Sequence, residues 1–129
     1  MNNIDNMLGL KIWAVIGATD NKEKFGYKIF KTMLEAGLEV YPINPGIDEV
    51  LGKKCYPTLK DLPVKPDAVN VVVPPKVGEQ IMHECTELGI HNIWLQPGAD
   101  TKQVIQVAEG LGHTVVTACI MVELRKREA

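Results

Sequence analysis

The residues of this sequence that could do chemistry lie in short loops that follow apolar runs. The first apolar run ends in Gly17, and the loop after it includes Ala18, Thr19, Lys22 and Lys24. Glycine lets the chain turn sharply and admits a ligand to the backbone, and amides at the start of a following helix bind phosphate. This loop therefore predicts a phosphate site. The alternative is that Gly17 only ends a strand and that both lysines are solvated.

The loop departs from the glycine pattern of dinucleotide-binding proteins. Counted from Gly17, Thr19 stands at the second glycine of G-x-G-x-x-G and Lys22 at the third. Asn44 ends the second apolar run, where an NAD site needs a carboxylate for the ribose hydroxyls. An amide does not repel a ribose that carries a phosphate. The pattern therefore favours a neutral or phosphorylated ribose over NAD.

Four further loops follow apolar runs, and most of them are rich in glycine or proline. They are Asn44-Pro45-Gly46, Val73-Pro74-Pro75-Lys76, Gln96-Pro97-Gly98 and Ala118-Cys119. None of them contains a histidine or a nucleophile beside a base. These loops suit close approach of the backbone to a ligand and not proton transfer, so we expect a binding protein without catalytic residues.

The three histidines are expected to be ordinary surface residues. His83 lies off the apolar face of its predicted helix, which indicates that it is exposed. His91 and His113 begin predicted strands, at the end of the sheet opposite the loops.

Apolar runs that alternate with helical patterns must position these loops. Strands are predicted at residues 11–16, 39–44, 67–73, 92–95 and 114–117. A short extended piece is expected at residues 54–56 and one helical turn at 59–62. This order predicts a single α/β domain over residues 1–129. Its fold is a Rossmann-like, doubly wound parallel sheet of about five strands with helices on both faces.

Three amphipathic helices connect the strands, and a short charged helix is expected at residues 122–129. Gly37 and Gly89 are predicted to cap the first two helices in the left-handed conformation. Val77 begins the apolar face of the second helix. Asp100 and Gln103 are predicted to cap the third helix as a pair.

Composition narrows the partners and the compartment. The chain is 46% hydrophobic and 23% charged with a net charge of −2, which argues against a basic surface for nucleic acid. A polar N-terminal segment and the lack of long apolar runs predict no signal peptide and no membrane contact. Three cysteines without a C-x-x-C pair predict reduced thiols, no metal and a cytoplasmic location.

Four segments resemble the CoA-binding domain family. This family includes small stand-alone proteins and the N-terminal domains of the succinyl-CoA synthetase alpha subunit and of ADP-forming acyl-CoA synthetases. The segments follow the family order over residues 10–120. They are Val15-Ile16-Gly17-Ala18-Thr19, Val40-Tyr41-Pro42-Ile43-Asn44-Pro45, residues 67–75, and Ile93-Trp94-Leu95-Gln96-Pro97-Gly98-Ala99.

The resemblance implies that coenzyme A lies along the strand ends. It assigns the phosphates to residues 17–26, the adenosine part to residues 44–45, the adenine or the start of the pantetheine arm to residues 73–75, and the exit of the arm to residues 96–98. The positions implied are Gly17, Ala18, Thr19, Lys24, Phe25, Gly26, Asn44, Pro45, Val73, Pro74, Pro75, Gln96, Pro97 and Gly98.

Some positions depart from the family pattern. Ile47 stands where the synthetases have a lysine for the ribose phosphate, and Lys53 or Lys54 is the possible substitute. The synthetases also use a phosphorylated histidine in a second domain, which none of the histidines here is expected to replace. Cys119 is interpreted either as a buried, inert thiol or as a partner of the CoA thiol in a mixed disulfide.

Two other functions stay open. One is an NAD(P)- or nucleotide-binding regulatory domain of the same fold class. The other is one subunit of a split ADP-forming acyl-CoA synthetase. The apolar stretch Ile120-Met121-Val122 also suggests a homodimer contact.

Overall fold

Short apolar runs form a parallel sheet, because strands that are covered on both faces need apolar side chains on both. The computed structural model describes residues 3–128. The strands are β1 (Ile12–Ile16), β2 (Glu39–Ile43), β3 (Glu49–Val50), β4 (Lys53–Lys54), β5 (Ala68–Val71), β6 (Asn92–Leu95) and β7 (Thr114–Thr117). Five of them form one parallel sheet in the order β2-β1-β5-β6-β7. This confirms the predicted fold class.

Helices cover both faces of the sheet. They are α1 (Asn3–Leu8), α2 (Phe25–Glu35), α3 (Pro75–Leu88), α4 (Lys102–Gly110) and α5 (Ile120–Glu128). One apolar core lies between the sheet and α1, α2 and α5, and the other lies under α3 and α4. Trp13 and Trp94 are fully buried in the first core, where their rings meet edge to face with centroids 6.0 Å apart. None of the helices described within residues 3–128 is both long and apolar enough to cross a membrane.

The order in which the chain adds strands to the sheet reverses between β1 and β5. From β1 the chain leads into α2 on one face of the sheet, and from β5 it leads into α3 on the other. The two strands are neighbours, and the amide of Val72 donates to the carbonyl of Ile16 at their ends (2.9 Å). Loops that part in this way leave a crevice at the carboxyl edge of the sheet, which is where ligands bind in such folds.

The segment between β2 and β5 is attached to the sheet at its edge strand, β2. Pro42 is tolerated in β2 because this strand is at the edge. Tyr56 extends the edge, since its amide donates to the carbonyl of Pro42 (3.0 Å) and its carbonyl accepts from the amide of Asn44 (2.9 Å). The expected extended piece at residues 54–56 thus begins at the last residue of β4, which pairs with β3 in a small hairpin. The expected helical turn is a 3₁₀ turn, Leu59–Asp61.

Both predicted glycine caps are confirmed, but the predicted cap of the third helix is wrong. Gly37 and Gly89 have φ values of +86° and +74°. At α4 the capping residue is Thr101, whose hydroxyl accepts from the amide of Val104 (3.3 Å). The carboxylate of Asp100 instead accepts from the amide of Gly98 (3.0 Å), so it orders the preceding turn.

The two ends of the described chain also differ from expectation. Helix α1 was not predicted, yet it buries Met7 and Leu8 against the first core. Helix α5 begins at Ile120, earlier than the predicted 122–129, and residue 129 lies outside the described residues. Ile120 is fully buried and Val122 is 42% exposed. The homodimer contact therefore stays a prediction.

The prediction that His113 is a surface residue is wrong, because this residue is only 6% exposed. Its Nε2 lies 3.0 Å from the carbonyl oxygen of Met82, which can only accept, so Nε2 carries the proton. The hydroxyl of Thr86 lies 2.9 Å from the same nitrogen, and Nδ1 has no partner. The position of His113 at the start of a strand, opposite the loops, predicted a surface residue, but Met82 and Thr86 of α3 contact it there.

We expect the protein to lose stability as the pH falls below about 6.5, because burial lowers the pKa of His113. The unfolded chain takes up a proton near pH 6.5 that the folded chain refuses, so the free energy of unfolding decreases with acidification. The slope that this single proton can contribute is at most about 1.4 kcal/mol per pH unit. Urea denaturation from pH 7.5 to 5.5 measures it.

The matched variants for this measurement are His113→Gln and His83→Gln. The first removes the titrating group and is expected to flatten the curve in this pH range. The second changes an exposed histidine on α3 and should retain the slope of the original protein. A curve for His113→Gln as steep as that of the original protein would assign the effect to another group.

Candidate ligand-binding site

Three adjoining cavities occupy the carboxyl edge of the sheet. The large cavity, of about 480 Å³, runs from Phe25 to Cys119 across the loop after β6. The slot, of about 230 Å³, lies between the end of β2 and helix α3. The loop cavity, of about 450 Å³, lies over the turn that joins β1 to α2. Val73 lines all three, so they adjoin at this residue, and together they are called the crevice.

The crevice brings together nearly all positions that the family resemblance implied. Residues 17–26 contribute to the loop cavity, residues 44–45 to the slot, and residues 96–98 to the large cavity. Residues 73–75 form the wall between these spaces. Ala18 is the exception, since it is fully buried and lines none of the three cavities.

The start of the β1–α2 loop depends on two glycines that pack against each other. Gly17 has a φ of +97°, and a Cβ there would lie 2.9 Å from Cγ1 of Val73. A Cβ on Gly26 would overlap the carbonyl oxygen of Gly17. Gly26 therefore does what the third glycine of a nucleotide-binding turn does, which is to let the helix approach the strand closely. Sequence spacing missed this role because the loop is longer than in the standard pattern.

Side chains of the loop fix its shape without a ligand. The hydroxyl of Thr19 accepts from the amide of Asn21 (3.2 Å), and the carboxamide oxygen of Asn21 accepts from the amide of Glu23 (3.1 Å). Helix α2 starts after Lys24, whose side chain makes no capping hydrogen bond. The first two amides of α2, at residues 25–26, have no acceptor among residues 3–128 and can bind an anion, whereas the next two donate to the carbonyl of Lys24 (3.2 and 3.3 Å).

Asn44 ties the first two loops to each other. Its Nδ2 donates to the carbonyl of Ala18 (2.9 Å), and its Oδ1 accepts from the amide of Gly46 (2.9 Å). Both ends of the carboxamide are therefore used within the protein. The sequence placed Asn44 beside the ligand, and it does line two cavities, but these contacts make it a brace between the loops.

We expect Asn44→Ala to lower the free energy of unfolding by about 1–2 kcal/mol, because two hydrogen bonds to the backbone are lost. Urea denaturation measures this change. The control is Asn21→Ala, which also removes one side-chain hydrogen bond of the β1–α2 loop but leaves the loop–loop contact intact. Equal losses for both variants would contradict the special role of Asn44.

The slot has an apolar wall that the sequence did not assign to the site. Val77 was expected in the core, yet it is 43% exposed and faces the slot with Ile81, Glu84 and Thr58. The first turn of α3 extends beyond the ends of the strands, so no sheet lies beneath Val77. One sequence feature could have pointed to this wall. The helical turn predicted at residues 59–62 places Thr58 and Leu59 at the slot.

The far end of the large cavity is formed by Gln96 and Cys119. Gln96 is 4% exposed, and its Oε1 accepts from the amide of Ile120 (2.9 Å). Cys119 is half-buried, so the interpretation of it as a buried thiol is wrong. Within residues 3–128, no group of three or more histidine, cysteine, aspartate or glutamate side chains is placed to hold a metal ion.

Known proteins share this fold and sequence. The model of the CoA binding domain matches residues 11–125. The alpha subunit of ADP-forming acetate–CoA ligase II from Pyrococcus furiosus is 37% identical over 102 residues, which cover 78% of this chain. This chain spans only about one fifth of that subunit, since the match covers 20% of it. The uncharacterized protein YneT of Bacillus subtilis is 33% identical, with 84% of this chain and 82% of YneT covered.

A solved structure of a relative has the same fold. The conserved hypothetical protein from Pyrococcus furiosus superimposes with a TM-score of 0.82 at 41% identity, over 88% of this chain and 98% of that one. The family model covers most of the chain, and a relative of similar length aligns along most of its own sequence. This chain therefore belongs to the CoA-binding domain family.

Proposed function

We propose that this chain binds coenzyme A or an acyl-CoA in the crevice at the carboxyl edge of the sheet and has no catalytic machinery of its own. The observation that carries the proposal is that the three cavities adjoin and share wall residues. Val73 lines all three cavities, and Phe25 lines both the large cavity and the loop cavity. An elongated ligand with its phosphates in the middle fits this arrangement.

Each part of coenzyme A has a matching environment. The loop cavity offers the free amides at the start of α2 and the side chain of Lys24 to the phosphates. The slot offers apolar walls, including Ile43 and Val77, to the faces of the adenine ring. The large cavity, lined by Phe25 and Ile29 among others, suits the extended pantetheine arm.

The lining of the crevice supports binding without chemistry. The ionisable side chains that reach it within residues 3–128 are Glu23, Lys24, Glu84 and Cys119, and no histidine is among them. No described pair of these joins a nucleophile to a general base, which acyl transfer requires. Three free cysteines favour a reducing compartment, and we therefore propose a cytoplasmic location.

A second candidate function is that of one subunit of an ADP-forming acyl-CoA synthetase. The match to the ligase alpha subunit favours it, because the matched region is a small part of a larger protein. In that case a partner chain would supply the reaction. Phosphate incorporation from ATP only after addition of another protein would support this candidate.

A third candidate is a regulatory domain for NAD(P). The structure gives it less support, since the carboxamide of Asn44 is held at both ends by Ala18 and Gly46 and no carboxylate ends β2. In NAD sites a carboxylate at this position binds the ribose hydroxyls.

Thermal denaturation with coenzyme A, dephospho-CoA, NADP and NAD tests the proposal. Coenzyme A at about 100 times its Kd adds about 2.7 kcal/mol to the free energy of unfolding, which raises the Tm by several degrees. We expect a smaller rise with dephospho-CoA if the ribose phosphate is recognised. Stabilisation by NAD or NADP and not by coenzyme A would refute the proposal and favour the regulatory domain.

A further inference from the structure

Cys119 differs from the other two cysteines in its surroundings. Cys55 and Cys85 are buried, and burial raises the pKa of both thiols, that of Cys85 to about 12. Cys119 is half-buried and lines the large cavity. It also precedes α5, since its carbonyl accepts from the amides of Val122 and Glu123 (both 3.1 Å). Of the three cysteines, Cys119 is therefore the one whose thiol a ligand in the large cavity can reach.

Gln96 gives an independent sign of a ligand at the same place. Its side chain is almost fully buried and lines the large cavity. The amide of Ile120 can only donate, so the atom of Gln96 that faces it is the oxygen, Oε1 (2.9 Å). The Nε2 donor then has no hydrogen-bond partner anywhere in residues 3–128. An unpaired donor at the wall of a cavity is expected to bind an acceptor from a ligand.

We infer that Cys119 is a site of thiol–disulfide exchange with a disulfide of coenzyme A, and that the protein thereby holds the coenzyme covalently. This inference rests on the proposed function. A pantetheine arm that starts at the phosphates of the loop cavity must enter the large cavity, since Phe25 and Val73 line both. Its amide carbonyls can accept from Nε2 of Gln96, which lies beside the start of α5. The sulfur end of the arm then lies at Cys119.

The exchange needs no group beyond the two reactants. The thiolate of Cys119 attacks one sulfur of the CoA disulfide, the bond between the two CoA sulfurs breaks, and a bond between Cys119 and CoA forms. One CoA leaves with the electron pair as a thiolate and takes a proton from water. Cys119 is oxidised and the departing CoA is reduced. Any reduced thiol reverses the step by the same route.

The test uses the protein freed of bound ligand and treated with CoA disulfide or with glutathione disulfide. Intact-mass spectrometry is expected to show one CoA per chain, removed by dithiothreitol, and peptide mapping is expected to place it on Cys119. We expect the reaction with CoA disulfide to be at least tenfold faster than with glutathione disulfide, because the crevice holds the CoA part. Equal rates, or an adduct on Cys55 or Cys85, would overturn the inference.

Two variants and a non-reactive analogue complete the test. Cys119→Ser should give no adduct, and the matched change Cys55→Ser should react like the original protein. Gln96→Leu should slow the reaction with CoA disulfide more than that with glutathione disulfide. Desulfo-CoA, which lacks the thiol, separates the two proposals by calorimetry. If desulfo-CoA binds but CoA disulfide leaves Cys119 unmodified, the exchange is refuted and the proposed function stands. If desulfo-CoA does not bind and CoA disulfide does not react, both proposals are refuted.

Discussion

Replacing Gly26 with alanine is expected to lower the free energy of unfolding by about 1–3 kcal/mol and to weaken coenzyme A binding by at least tenfold. Alanine normally stabilises a helix relative to glycine by about 1 kcal/mol, so a loss here must come from the packing. The new methyl group would overlap the carbonyl oxygen of Gly17, which is a backbone atom and cannot rotate away. Helix α2 and the turn after β1 must then move apart, and the proposed phosphate site is part of both.

Urea denaturation and isothermal titration calorimetry measure the two effects of Gly26→Ala. The matched control is Gly110→Ala at the end of α4, where an added Cβ would meet no atom within 4 Å. This variant should bind coenzyme A like the original protein and should be no less stable. If Gly26→Ala is as stable as Gly110→Ala, the two glycines do not set the distance between helix and strand.

Introducing a carboxylate at position 73 is expected to reduce the affinity for coenzyme A about 100-fold without unfolding the protein. Val73 lines all three cavities and is half-buried, so the charge of a Val73→Glu variant lies in the crevice and still reaches water. Like charges brought together at a binding site cost several kcal/mol, and every 1.4 kcal/mol is about tenfold in Kd. Calorimetry measures the affinity, and the Tm checks the fold.

Val73→Gln separates charge from bulk, because glutamine has the same size as glutamate and no charge. We expect it to lose far less affinity than Val73→Glu, and the difference should shrink at high salt. A second control, Val122→Glu, places the same charge on the exposed side of α5 and should leave binding unchanged. Similar losses for Val73→Glu and Val73→Gln would mean that the anionic part of the ligand lies elsewhere.

The sequence was sufficient to predict the sheet and the edge at which the cavities lie. Residues 68–71 are apolar except for Asn70 and include two valines, and nearly continuous apolar runs of this kind are buried on both faces of a parallel sheet. Parallel strands place their carboxyl ends at one edge, so the loops after Ile16, Ile43 and Val71 had to converge. These inferences need only local pattern and the handedness of the connections.

Features that depend on distant contacts were not predictable. The burial of His113 depends on the carbonyl of Met82 and the hydroxyl of Thr86, which reach it from another element. The role of Gly26 depends on its distance from Gly17 in space, which the spacing in the sequence did not reveal. The second wall of the slot, with Val77, forms only because α3 extends past the sheet.

The way in which Tyr56 is attached to the edge strand has a consequence for how relatives of this protein can diverge. Only one residue of that segment bridges to β2, and the register of the five-stranded sheet does not depend on it. Insertions or deletions in the exposed turn at residues 51–52 can therefore reshape this segment while the scaffold stays intact, provided that Val50 and Cys55 keep their places in the core. Selection for a different base or a bulkier ligand would act first on this appendage, and the strands would retain their sequence.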